Sequence, residues 1–293
     1  MATKALEAIL QRCGYAHFLA SDQYAPLDAR MFRLRQQHGY QEVATLVAAS
    51  LLSKKLAVGV RYAGLDIRVA PHGNFGRTWE EARANATLFA SAADALGIDA
   101  RPVLTKASYP YQPYIGRKES LAALWLLFES RAGLWLSSHL ELCRELALAC
   151  VPIDSRDAIM HVDVESLRDI FYANLEAQGA SPDDFVRISE ATLHAHVETL
   201  YAPSDGFVSY AVADIRRLIV EVQRAAAPEA FFADPVGMVL LRQPGEWVRC
   251  GDPIATLRVE RPVSGEDVVA FQAFVTIQAY PEGPGFEAVK PNG

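Results

Sequence analysis

Ala48-Ala49-Ser50-Leu51-Leu52-Ser53-Lys54-Lys55-Leu56 is the stretch from which the fold is read. It sits inside a predicted helix over residues 40–57, stopped near Gly59. Ser50 and Lys54 are four apart, so a helix places them on one face. Arg35 precedes Ser50 by fifteen residues. A guanidinium, a hydroxyl and an ammonium converging on one spot form a donor-rich cradle suited to a planar ligand edged with oxygen.

Outward from this helix the pattern alternates. Residues 63–69 alternate apolar and polar as a strand, broken by Pro71-His72-Gly73-Asn74. Thr78 can cap a helix running to Leu96, with Glu80 and Glu81 in its first turn favouring the positive helix end. Gly97 closes that helix, and residues 100–105 form the next strand. Strand, helix, strand in this order predicts an α/β fold: a mostly parallel mixed sheet flanked by helices. A short helix over 4–12, a strand over 15–20 and helices over 118–129, 134–150 and 164–178 complete the first part. From Thr192 onward short strands alternate with Pro/Gly turns such as Tyr201-Ala202-Pro203-Ser204-Asp205-Gly206. The expected division is an α/β domain over residues 1–187 and a smaller C-terminal α+β domain over 188–293, with a loose Pro- and Gly-rich tail from Tyr280.

The composition narrows the function classes. The 293 residues are 51% hydrophobic and 22% charged, enough for a sizeable core. A net charge of −7 with no broad basic stripe argues against nucleic-acid binding. Cys13, Cys143, Cys150 and Cys250 lack C-x-x-C spacing, and Cys143 and Cys150 within a Leu/Ala-rich helix read as buried thiols. Glu7 stands where a signal peptide would be apolar, and no uncharged run approaches the roughly 20 residues that span a bilayer. A cytoplasmic protein without a membrane partner is expected. His161, Asp163 and Glu165 alternate, as do His194 and His196, so each set could share a strand face. Surface polar residues are the expectation there, and no metal site.

A pyrimidine base offers the edge that the cradle around Ser50 would grip: O2, N3–H and O4. The sequence resembles the pyrimidine-nucleoside phosphorylases, the thymidine phosphorylase family. Their motif is an Arg-Asp-Val-Thr segment, a short loop, and a helix with Ala-Ser-Ile-hydrophobic-Ser-Lys-Lys. Residues Ala25 to Arg35 resemble the approach and Ser50 to Leu56 the helix. The likeness continues through Leu65-Asp66-Ile67-Arg68-Val69, Leu104-Thr105-Lys106, Pro110 and Gly116. It resumes at Asp234-Pro235-Val236-Gly237 and Gly251-Asp252-Pro253-Ile254-Ala255-Thr256-Leu257. The resemblance implies that Arg35, Ser50 and Lys54 hold the base, with Lys54 and Arg35 catalytic. Arg68, His72 and Arg117 are further candidates for an anion or for supporting contacts.

Departures from the family pattern are equally specific. Gln36-Gln37-His38 replaces Asp-Val-Thr, Arg68 stands for a lysine, and Ala70 to Phe75 carries one inserted residue. The glutamates of a Glu-Val-x-Glu pattern would fall on Ser120 and Ala123, so no cation is expected. Family members are longer before the matched region, where their phosphate-binding loop lies. The reading is therefore a base-binding subunit of a two-chain pentosyltransferase, a heteromer inactive without a partner polypeptide that supplies the phosphate-binding half. Inorganic phosphate would be co-substrate, with no other cofactor. Two alternatives stand beside it: a self-contained glycosyl-transfer or hydrolysis enzyme acting on a modified nucleoside, and a non-catalytic binding protein of the same fold.

Overall fold

The computed structural model describes residues 3–17, 26–57, 59–73, 75–226, 234–260, 265–279 and 286–288. In chain order the elements begin with α1 (Thr3–Cys13), α2 (Pro26–His38), α3 (Ala44–Ala57), β1 (Tyr62–Val69), α4 (Trp79–Asp94) and β2 (Asp99–Lys106). They continue with β3 (Tyr114–Ile115), α5 (Arg117–Phe128), α6 (Leu134–Cys150), α7 (Ile153–Met160), α8 (Val164–Ala177) and α9 (Pro182–Leu193). The remainder comprises β4 (Val197–Tyr201), β5 (Gly206–Tyr210), α10 (Val212–Ala226), β6 (Val236–Leu240), β7 (Trp247–Val248), β8 (Pro253–Val259), α11 (Gly265–Ala273), β9 (Val275–Gln278) and β10 (Phe286–Ala288). The α/β class holds. Two compact units are formed, one from the described residues of 1–108, 141–162 and β10, the other from those of 109–140 and 163–284.

In the first unit β1 and β2 pair in parallel from Tyr62↔Asp99 to Val69↔Lys106, joined through α4. β10 adds antiparallel on the far side of β2, from Phe286↔Thr105 to Ala288↔Val103. Within the tail expected to be loose, these three residues are therefore a strand; the rest of that tail, like Asn74 and residues 18–20 of the strand expected over 15–20, lies outside the described residues. Residues 15–17 belong to neither helix nor strand. Ala82, Ala86 and Ala93 give α4 a smooth face, which lets it lie close on the sheet against Ile67 and Leu104, with Phe89 filling the remaining space. Thr78 caps α4 as expected, its hydroxyl accepting from the Glu81 N–H at 3.2 Å. The Asn85 amide, buried, donates to Phe75 O at 2.9 Å and ties down the loop after β1.

α3 starts at Ala44, later than the expected 40, because residues 39–43 turn instead of winding: Gly39 has φ 71°. The expected burial of Cys143 and Cys150 is not found: Cys143 and Cys250 are exposed, and Cys13 and Cys150 half-buried. Partial burial pushes the Cys150 thiol up, away from the reactive thiolate. Among the described residues no helix is long and apolar enough to cross a membrane.

The second unit contains two antiparallel sheets, ordered β3-β6-β8-β4 and β7-β5-β9. Its main core gathers Val208, Ile215, Met238, Ile254, Leu257 and Phe271. A second core under α5, α8 and α9 is aromatic, with Phe128, Phe171, Tyr172 and Phe185 rings packed edge-to-face and tilted at 5.0–6.3 Å. Through this unit runs a buried charge network. Arg258 on β8 is 3% exposed and Glu119 on α5 is 1% exposed. Arg258 Nε donates to Glu119 Oε1 at 2.5 Å and Nη2 to Oε2 at 3.2 Å, a two-pronged pair. Nη2 also reaches Asp234 Oδ2 at 3.1 Å, and Nη1 the Asp234 carbonyl at 3.1 Å and Glu260 Oε1 at 2.9 Å. The family-matched glycines explain themselves here. A methyl group on Gly237 would sit 1.9 Å from Glu119 Oε2, and one on Gly116 (φ 145°) 2.0 Å from it.

Gly237→Ala is expected to destabilise the protein by about 2–3 kcal/mol through forced displacement of the Glu119 carboxylate. Arg258→Met, which leaves Glu119 buried and unpaired, is expected to cost about 3–5 kcal/mol. Urea unfolding of both variants checks this; losses under 1 kcal/mol would contradict the network's role.

Candidate functional site

The site is built where α2 crosses α3. Ser50 and Lys54 share one face of α3, as their spacing requires, and Lys54 Nζ lies 3.5 Å from Ser50 Oγ. The residue that unites them is Asp28, from the first turn of α2. Ser50 Oγ donates to Asp28 Oδ1 at 2.5 Å, and Lys54 Nζ donates to Asp28 Oδ2 at 3.0 Å. The Asp28 side chain is 8% exposed, whereas that of Lys54 is 46% exposed. The group is thus a sheltered carboxylate under an ammonium that faces outward. Partial burial pushes the Asp28 carboxyl up. The Ser50 hydroxyl, the Lys54 ammonium and the charge of Arg35 outweigh that and hold it below its ordinary value, so it is ionised at neutral pH. An ionised carboxylate accepts hydrogen bonds and cannot donate. The hydroxyl hydrogen of Ser50 is consequently committed to Asp28, and Ser50 faces a ligand as an acceptor.

Arg35 is placed differently from Ser50 and Lys54. It is 7% exposed, and its guanidinium turns to the main chain between α2 and α3. Nη2 donates to Gln41 O at 2.9 Å, Nε to Tyr40 O at 3.3 Å and Nη1 to Leu46 O at 3.4 Å. It clamps the connection that sets where α3 begins, while its charge still reaches Asp28.

The remaining candidates are dispersed. Arg68, exposed on β1, donates from Nε to Asp66 Oδ2 at 3.0 Å, and the other Asp66 oxygen accepts from Thr105 Oγ1 at 2.6 Å. His72 is exposed in the turn that follows β1, at the carboxyl end of a parallel strand, where ligands of α/β sheets gather. Gly73 closes that turn: its N–H donates to Ala70 O at 2.7 Å, and a methyl group there would lie 2.6 Å from Gly76 O. Arg117, exposed, opens α5 in the second unit. Of the alternating histidines, His196 immediately precedes β4 while His161 and His194 end helices, and all three are exposed as expected. His161 and His194 follow α7 and α9, with Nδ1 at 2.8 Å from Asp157 O and Glu190 O. Asp163 caps α8, accepting from the Ser166 N–H at 2.7 Å. Among the described residues no group of three or more His, Cys, Asp or Glu could hold a metal ion.

Sequence reasoning missed two acids. Asp28 was within the quoted segment without a role; its signal is that it stands alone as an acid among Arg30, Arg33 and Arg35. Glu119, the buried glutamate of α5, immediately precedes the Ser120 to which a glutamate was matched. Its partner on β8 is 139 positions away, beyond any local pattern.

Comparison with known proteins gives the following. No family model matches the chain. The chain is 29% identical over 256 residues to the thymidine phosphorylase of Mycobacterium tuberculosis, covering 84% of this chain and 57% of the relative. It is 26% identical over 259 residues to the pyrimidine-nucleoside phosphorylase of Geobacillus stearothermophilus, covering 82% and 57%. It is 26% identical over 253 residues to the AMP phosphorylase of Methanococcoides burtonii, covering 84% and 48%. The chain spans about half the length of the curated relatives it matches.

Asp28 ties the site to pH. Its folded pKa is depressed, so its contribution is fully present above the unfolded value of about 4 and is lost as pH falls through the lower folded value. Asp28→Asn is expected to lower stability at pH 7 by about 1–2 kcal/mol, a small figure because Lys54 is half exposed. The gap between wild type and variant should close as the pH drops below about 4. Thermal melts of both proteins across pH 2.5–7, about that window, test it. A constant gap would remove Asp28 as the titrating group.

Proposed function

Because this chain belongs to the thymidine and pyrimidine-nucleoside phosphorylase family, we propose that it holds the base in phosphorolysis of a nucleoside to free base and pentose 1-phosphate. The observation that carries the proposal is the Ser50–Lys54 pair, close together on one face of α3 with the ammonium half exposed. In this reaction a phosphate oxygen bonds to C1′ as the bond from C1′ to the base nitrogen breaks. The bonding pair leaves with the base, and its negative charge spreads to the pyrimidine carbonyl oxygens. An N–H donor aimed at such an oxygen binds the transition state more tightly than the ground state, which lowers the barrier. Lys54 has three N–H groups, two directed to Asp28 and Ser50. The third serves the base. Asp28 fixes the direction of Lys54, and Arg35 holds the loop ahead of α3 while adding positive potential.

Phosphate is the co-substrate. The reading assigns its main binding residues to a partner polypeptide, in a cytoplasmic heteromer. His72 and Arg68, both in the first unit, are assigned supporting contacts to anionic groups of the sugar or phosphate.

One observation favours a second reading, a binding protein without turnover. Arg35 directs its guanidinium to three carbonyls, and Asp28 already occupies the inner donors of Ser50 and Lys54. Under that reading a pyrimidine binds and is not cleaved.

The native complex decides. Its mass and chain content, followed by assay with thymidine or uridine and phosphate, should reveal a second polypeptide and activity that the isolated chain lacks. Robust phosphorolysis by the chain alone would refute the two-chain proposal; base binding without turnover by any native assembly would establish the second reading. In the active complex Lys54→Ala is expected to lower kcat by about 10²–10³-fold, the effect of removing one donor to a developing oxyanion. Unchanged kcat would exclude Lys54.

A further inference from the structure

We infer that Asp28 is a positioning residue that sets the hydrogen-bond polarity of the base site, selecting bases with a ring N–H beside a carbonyl over bases with a bare ring nitrogen beside an amino group. The inference rests on the base-holding role proposed for Ser50 and Lys54.

A serine hydroxyl is ordinarily indifferent, since it can rotate to donate or to accept. Here it cannot choose. Its single hydrogen points to Asp28 Oδ1 at 2.5 Å, and Asp28 can return none. Lys54 Nζ, donating from 3.5 Å, takes one lone pair of the same oxygen. One lone pair of Ser50 remains for the ligand, beside an N–H of Lys54. The face presented is therefore an acceptor next to a donor.

Uracil and thymine complement that face with N3–H and an adjacent carbonyl. Cytosine presents a lone pair at N3 and an amino group, so acceptor would meet acceptor and donor would meet donor. Such a mismatch leaves polar groups without partners where the bound base displaces water, and discrimination of at least about 30-fold follows. The preference is held in place by a residue that itself contacts no base. Without the carboxylate, Ser50 regains its rotation and the site can adapt to either polarity.

The test measures uracil, cytosine and 3-methyluracil binding to the full chain in its native assembly by calorimetry, with wild type, Asp28→Asn and Asp28→Glu. Wild type is expected to prefer uracil over cytosine by at least about 30-fold and to lose at least about tenfold affinity when N3 is methylated. Asp28→Asn should narrow the uracil-to-cytosine ratio by about tenfold, and Asp28→Glu, which keeps a carboxylate, should restore part of it. A purely structural role would weaken both bases together and leave the ratio unchanged, which would overturn the inference while keeping the base site. Equal binding of uracil and 3-methyluracil by wild type would also overturn it, even if Asp28→Asn fails to fold. Binding of no base by wild type would bring down the base-holding role itself, and this inference with it.

Discussion

Directional polar contacts fix how α2 is placed. Ala29 and Arg35 of this helix are buried, while Leu27, Met31, Phe32 and Leu34 are exposed. The helix is fastened at two points: Asp28 to Ser50 and Lys54 near its start, and Arg35 to the carbonyls of Tyr40, Gln41 and Leu46 near its end. Hydrogen bonds are directional where apolar contact is not. The candidate site therefore has its donors and acceptors in fixed senses because the same contacts that assemble it also orient it.

How much of this was legible in the sequence depends on how local each cause is. The α3 face, the Thr78 cap and the parallel β1–β2 pair follow from spacing and capping chemistry within a few dozen residues, and they were read correctly. Ser50 and Lys54 were placed together by the helical repeat alone. The direction of Arg35 was not legible, since its carbonyl partners exist only once residues 39–46 have turned. Nor was β10, whose pairing with β2 depends on a strand about 180 positions earlier. His161, Asp163, His194 and His196 are surface polar residues as expected, but alternation over a few residues suits a strand face and a helix end equally, and His161, Asp163 and His194 stand at helix ends.

The second unit follows a different rule. Its cores are apolar and aromatic, yet it carries Arg258, Glu119 and Asp234 inside. Such a network adds little net stability compared with well-packed apolar residues, because desolvation of the charges offsets their attraction. What it adds is a demand for shape. The carboxylate of Glu119 lies so close to the backbone of Gly116 and Gly237 that neither position admits a side chain. That accounts physically for two of the glycines carrying the family resemblance.

β2 has a consequence for how the gene can be handled. Its two neighbours come from distant parts of the chain, β1 on one side and β10, the last described element, on the other. Any shortened version that stops after β9 would strip one side of the strand carrying Leu104 and Thr105, and expose a row of unpaired amides there. The damage would fall on the unit bearing Ser50 and Lys54, not on the one adjacent in sequence to the cut.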